Sequence, residues 1–277
     1  MKKSIAPKVW RAIRFIILMV LLVLVGWWGH VLWSRGQPPT TIINIAYDNI
    51  RRGRDVDYRI FIEENSELVP YLVLATNYGG NVLLLREHIM DEMRPINPSL
   101  HGWDRMWAYH DFGAYYPGSD MDNFLNTEFK DTLGWGVIAA MVASDIVVTH
   151  KDSIGPTGRD SRVITRYVFL LSRRELGVSD SSIAVPEGQR LRYFRGYHAV
   201  RVATLSDGSP FPYWTRTPNT WGTSNVFAIG IDATGSGTAD VYSGVRPAFA
   251  LARSTLITTH TCTNTGATFF VLDVDAY

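Results

Sequence analysis

The chain carries one cysteine, Cys262, in 277 residues. An intrachain disulfide is excluded, so the fold depends on its apolar core. Excess charge of either sign is also missing, since 27 Lys and Arg face 26 Asp and Glu for a formal net charge of +1. With no basic tract and no RNA-type aromatic motif, nucleic acid is not expected as a partner. No His-Glu-x-x-His, Cys-x-x-Cys, nucleophile elbow or phosphate loop occurs. Gly235 to Asp240, GSGTAD, lacks the third glycine and following helix of a dinucleotide fingerprint and reads as a turn. No metal, cofactor or catalytic residue is therefore expected, and the chain reads as a non-enzyme.

What is present begins with an apolar run, Phe15 to Trp33, FIILMVLLVLVGWWGHVLW. At helical rise it covers most of a hydrocarbon layer of roughly 30 Å. Lys2, Lys3, Lys8, Arg11 and Arg14 precede it with no acidic residue among them, which places residues 1–14 in the cytoplasm. Trp27, Trp28 and Trp33 cluster at the far end, where indoles favour the interface. A cleaved signal usually has a shorter apolar region and a small-residue cleavage site, which this bulky end lacks. The expectation is one uncleaved transmembrane helix over 15–33, a linker over 34–56, and a C-terminal domain outside the cytoplasm.

The domain is expected to open with strands at Tyr58–Glu64, Val69–Thr76 and Asn81–Glu87, the last two joined by the turn NYGG. His101 to Gly118 is rich in aromatics, among them Trp103, Trp107 and Tyr109. Set among Asp104 and Asp111, they suit either a sugar-stacking platform or a long loop pinned by its own rings. Ser119 to Phe129 has the clearest helical pattern: Ser119 at the N-cap, Asp122 at the capping-box position, and Met121, Phe124, Leu125 and Phe129 on one face. Asn126 on that helix is placed to bond into the sheet. A second short helix is expected over Val137–Ala143, a strand over Asp145–His150, a polar surface loop over Lys151–Arg166, a core strand over Tyr167–Ser172, and a short helix from RREL. Arg190 to Arg201 mixes arginines with Tyr193, Phe194 and Tyr197, suiting either an anion or the protein's own acids. Thr255–Cys262 and Ala267–Val274 flank NTG as a terminal hairpin, an extension over 254–277 that either covers a sheet edge or pairs with another molecule.

Two late motifs say more than this pattern does. PYWTRTP, Pro212 to Pro218, and SGVRPAFAL, Ser243 to Leu251, bracket the strand-like VFAIGID. Together they resemble the end of a bacterial and phage family of domains of unknown function, whose usual forms are W-W-L-R-S-P and G-V-R-P-A-L. SDMDNFLNTEF resembles that family's S-x-L-R-x-W-L-N helix, with Phe124 for Trp and Asp122 where Arg is usual. YVFLLSRREL resembles its V-F-L-L-S strand. The resemblance covers about Asp57 to Ala252.

It implies an α+β, C-type-lectin-like domain over 57–253, with short antiparallel sheets, one or two helices and long loops. It also implies structural roles for Ser119, Phe124, Asn126, Trp214, Arg216, Gly244, Arg246 and Pro247, with the arginines pairing inside the fold. The similar formylglycine-generating enzymes hold copper with two cysteines, which this chain cannot supply. The calcium signatures E-P-N, Q-P-D and W-N-D are missing as well. A lectin-like scaffold would place a ligand surface on the long loops, at Trp103, Trp107, Tyr109, Trp221 and Asn225. The expected function is a membrane-anchored, non-catalytic module recognising a glycan, peptide or surface protein. The competing expectation is a structural subunit of a cell-surface or virion assembly, self-associating through the terminal hairpin.

Overall fold

A computed structural model describes residues 40–44, 59–98, 113–154, 159–178, 184–195, 201–219, 224–230, 236–261 and 268–272. The apolar run at 15–33 lies outside them. Among the described residues no helix is long and apolar enough to cross a membrane.

The chain is α+β, with strand predominating. In β2 (Arg59–Glu64) Ile60, Ile62 and Glu64 are buried while the residues between them are half-exposed, the period of two that seats one face on a core. β3 (Glu67–Tyr78) returns through Asn65 and Ser66, both at positive φ. β4 (Asn81–Arg86) follows Gly79 and Gly80, at φ +57° and +88°, as a two-residue turn requires when its twist matches the flanking strands. Val82 to Leu85 are all buried, because β4 is covered on both faces.

The helical segment is α1 (Asp120–Phe124), a π-helical turn (Leu125–Phe129) and α2 (Lys130–Thr132), followed by α3 (Trp135–Ala140). Met121, Phe124, Leu125 and Phe129 face inward, and the π turn begins next to Asn126, whose side chain is drawn to a strand.

The later strands are β5 (Met141–Val142), β6 (Ser144–Thr149), β7 (Ser161–Arg166), β8 (Val168–Phe169), β9 (Ala203–Thr204), β10 (Pro210–Phe211), β11 (Tyr213–Pro218), β12 (Asn225–Ile229) and β13 (Ser236–Thr238). β14 (Ala248–Leu251), β15 (Leu256–Thr261) and β16 (Thr268–Leu272) complete them. A nine-stranded sheet runs β1-β15-β16-β2-β3-β4-β14-β5, where β1 is Thr40–Thr41 and β8 also pairs with β14. Every pairing in it is antiparallel except β16 with β2. Three small antiparallel sheets, β11-β12-β13, β6-β7 and β9-β10, pack around it.

Three expectations are corrected and one choice is decided. The stretch Lys151–Arg166, read as a loop from its glycines and proline, ends in β7, whose SRVITR carries the β-branched content of a strand. RREL forms one turn rather than a helix, closed where Gly177 at φ +70° lets Val178 N donate back to Arg173 O. The 34–56 linker contains β1, with Ile42 fully buried. Of the two readings of the terminal hairpin, the sheet-edge one holds: β16 pairs with β2 and β15 with β1, so both strands lie inside the sheet.

Candidate functional site

The two late motifs lie side by side. Tyr213 and Gly244 form a parallel bridge, Trp214 N donates to Gly244 O at 3.0 Å, and Gly244 N donates to Pro212 O at 2.9 Å. The approach depends on glycine, since a Cβ at 244 would stand 2.5 Å from Ile89 Cγ2 and 2.8 Å from Pro212 O. Trp214 is 1% exposed, and its Nε1 donates to Arg94 O at 2.9 Å. Arg246 donates from Nε to Arg86 O at 2.8 Å, and its guanidinium lies 5.4 Å from the centre of the Tyr213 ring. Pro247 O accepts from Arg86 N at 2.9 Å.

Arg216 is the centre of a buried polar network. Nη1 and Nη2 form a two-point ion pair with Glu175 at 2.7 and 3.0 Å, while Nη1 and Nε also donate to Leu170 O and Val147 O. Burial alone would lower the guanidinium's pKa, but the Glu175 carboxylate outweighs it and holds Arg216 above its ordinary value. Tyr78 Oη and Ser172 N complete the bonds to Glu175.

Beside this pair, Glu187 accepts from Thr149 N, Thr149 Oγ1 and Thr217 Oγ1 at 2.7, 2.8 and 2.6 Å. Complete burial pushes the Glu187 carboxyl up to about 7; Arg216 and the three donors offset only part of that. Neither glutamate belongs to a recognisable motif. Glu175 is one acid in a charged turn and Glu187 one in a loop, so no sequence signal marked them.

Ser119 Oγ caps α1, accepting from Asp122 N at 3.1 Å. The reciprocal bond goes one residue further back than a capping box requires, from Gly118 N to Asp122 Oδ2. Where the resembling family usually carries an arginine, Asp122 receives one instead, from Arg166 at 2.7 to 3.0 Å. Asn126 Nδ2 donates to Val168 O, and its Oδ1 accepts from Tyr167 N and Val168 N, which ties the helix to β8. Phe124 is buried under the Arg94 guanidinium, 3.7 Å from the ring centre.

Of the ligand-surface candidates, Asn225 is described and the other four are not. It is half-buried and pairs with Thr238, and its O accepts from Asn219 N at 2.7 Å. Trp103, Trp107, Tyr109 and Trp221 lie outside the described residues. The bases of the two loops carrying the four aromatics are nevertheless described, and they meet at Ala239. Asn97 N donates to Ala239 O at 3.0 Å, and Ala239 N donates to Ser224 O at 2.7 Å. Asn97 Nδ2 also bonds Gly113 O at 2.6 Å, closing the base of the loop that carries Trp103, Trp107 and Tyr109. Asn97, Gly113, Asn219, Ser224 and Ala239 thus form one junction from which both loops depart. Among the described residues no group of three or more His, Cys, Asp or Glu is arranged to hold a metal ion.

A family model described as a domain of unknown function, DUF6273, matches residues 79–253, more than half of the chain. No curated protein and no solved structure matches it. The matched stretch includes β4, β5, β8 and β14 of the main sheet. The adjoining flank, β1-β15-β16-β2 and the whole of β3, falls outside.

Proposed function

From the premise that the chain belongs to the DUF6273 family of domains of unknown function, we propose that it is a membrane-anchored, extracytoplasmic and non-catalytic recognition module. Its scaffold is read as C-type-lectin-like, and its ligand as a glycan, peptide or surface protein. One observation carries this: the two aromatic-bearing loops spring from a single junction at Ala239. Rings on both can then present one surface, where they stack on apolar sugar or side-chain faces while neighbouring polar groups fix orientation. The anchor rests on residues 15–33 and their basic flank. The non-catalytic reading is supported by where the charged groups are committed: Glu64, Asp122, Glu175 and Glu187 are all buried in structural bonds.

The test is glycan-array and pull-down screening of the soluble domain, residues 40–277, begun at Thr40 so that β1 is kept. Trp103→Ala, Trp107→Ala and Trp221→Ala should each weaken binding at least tenfold with stability unchanged. Binding indifferent to all three would remove the proposed surface. The competing reading, a structural subunit joined through the terminal hairpin, would have to use a strand already bonded to β1 or β2.

A further inference from the structure

We infer that the main sheet presents the end bearing its β15–β16 turn to the lipid surface, and that the exposed apolar group at Trp135 is turned away from the bilayer. This rests on the anchor reading of residues 15–33 and adds the orientation which that reading leaves open.

The direction comes from β1. Thr40 pairs with Ile257 and Thr41 with Leu256, and Ile42 N donates to Thr255 O at 2.8 Å. β1 therefore runs antiparallel to β15, and its first residue, Thr40, faces the end of β15 at which Thr261 pairs with Thr268. β2 begins at the same end, since Ile60 is level with Phe270 and β16 runs parallel to β2.

Chain length then limits the alternatives. Only residues 34–39 separate Trp33 from Thr40, a reach of at most about 24 Å. The rest of β15, Thr258 to Thr261, is roughly 13 Å long and so within that reach. Reversing toward the other end would take a four-residue turn out of six, two of which, Pro38 and Pro39, favour extended backbone in the residues before them.

Trp135 stands at the opposite end. Asn65 N donates to Thr132 O, Glu64 bridges to Leu133, and Gly134 N donates to Glu63 O, so α3 starts beside the β2–β3 turn. Trp135 is 65% exposed, with Ile138 on the same short helix and Leu68 opposite Glu63 also exposed. An exposed tryptophan in an anchored protein invites assignment to the lipid interface. The topology places this one roughly 20 Å along β2 from the entering end. Charge agrees. Glu63 lies against Gly134 at the start of α3, and with Glu67 and Asp131 against Lys130 this end is net acidic and would repel anionic headgroups, whereas neither β15 nor β16 contains a carboxylate.

The test uses the full-length chain in phosphatidylcholine–phosphatidylglycerol vesicles carrying a headgroup acceptor dye. A donor on Cys262, the sole cysteine and the residue after Thr261, reports the turn end. Glu67→Cys and Ala139→Cys, each in a Cys262→Ser chain, report the other end from two exposed positions. Energy transfer from position 262 should be at least twice that from 67 or 139. Equal or stronger transfer from 67 and 139 overturns the orientation. Alkaline extraction of the same vesicles reads the anchor by itself. Release of the chain defeats the anchor and the orientation together, whereas a retained chain with the reverse order of transfer defeats the orientation alone.

Discussion

Arg216 and Glu175 meet as a two-point ion pair from which solvent is excluded, at 0% and 1% side-chain exposure. Such a pair adds little net stability over apolar residues of the same shape, but removing one partner leaves the other charged and buried. Arg216→Ala should cost about 3–5 kcal/mol in urea unfolding. Arg216→Lys should recover little, because an ammonium cannot bond both oxygens of Glu175 and the carbonyls of Leu170 and Val147 in one plane. A loss under about 1 kcal/mol for Arg216→Ala would mean that water replaces the guanidinium.

Glu187 gives the fold a pH dependence of definite sign. Its carboxyl titrates near 7 in the folded chain, against an ordinary 4.5. Its contribution is fully present below about 4.5 and is lost as pH rises through about 7, on the order of 3 kcal/mol in all. Glu187→Gln keeps one acceptor oxygen for Thr149, turns its amide N–H toward the Thr217 hydroxyl oxygen, and removes the titration. The wild-type chain should lose stability between pH 5 and 8 while the Gln variant stays nearly flat, as followed by unfolding midpoints across that range. Parallel profiles would show that the carboxylate stays ionised throughout.

Gly244→Ala is expected to destabilise by about 1–3 kcal/mol through overpacking, because the new methyl group meets both Ile89 and the Pro212 carbonyl. Adding Ile89→Ala should relieve the first clash and not the second, so the double variant should fall short of Ile89→Ala alone. Full rescue in thermal unfolding would locate the constraint in Ile89 only.

Much of the fold was legible because its signals are local. The β3–β4 hairpin follows from two glycines between apolar runs, and Ser119 to Phe129 from its cap and one-sided apolar face. Long-range partners were not. Nothing in RREL distinguishes Glu175 from any charged turn residue until Arg216, 41 positions later, is brought beside it. The family resemblance stops near Ala252, so the hairpin after it looked like an extension. Its place between β1 and β2 is set by a parallel pairing that no nearby pattern encodes. The loop junction at Ala239 was equally hidden, since alanine carries no signal and the bonds there are made by backbone.

The sharpest disagreement between the two readings of the hairpin concerns its removal. Were it a joining edge alone, deleting residues 255–277 would abolish self-association and leave a folded domain. The pairing predicts otherwise. β15 and β16 stand between β1 and β2, Ile257 and Leu272 are buried in the core, and Thr255 O accepts the bond that fixes Ile42. Without them β1 has no partner, and the β2 edge that pairs with β16 is exposed beside apolar Ile60 and Ile62, an invitation to aggregate. The truncated domain should show lost cooperativity in thermal unfolding and heterogeneous elution in size-exclusion chromatography, next to a well-behaved 40–277 domain. A truncated domain that elutes as a monomer and unfolds as sharply as its parent would return the hairpin to the surface as an appendage, and β1 with it.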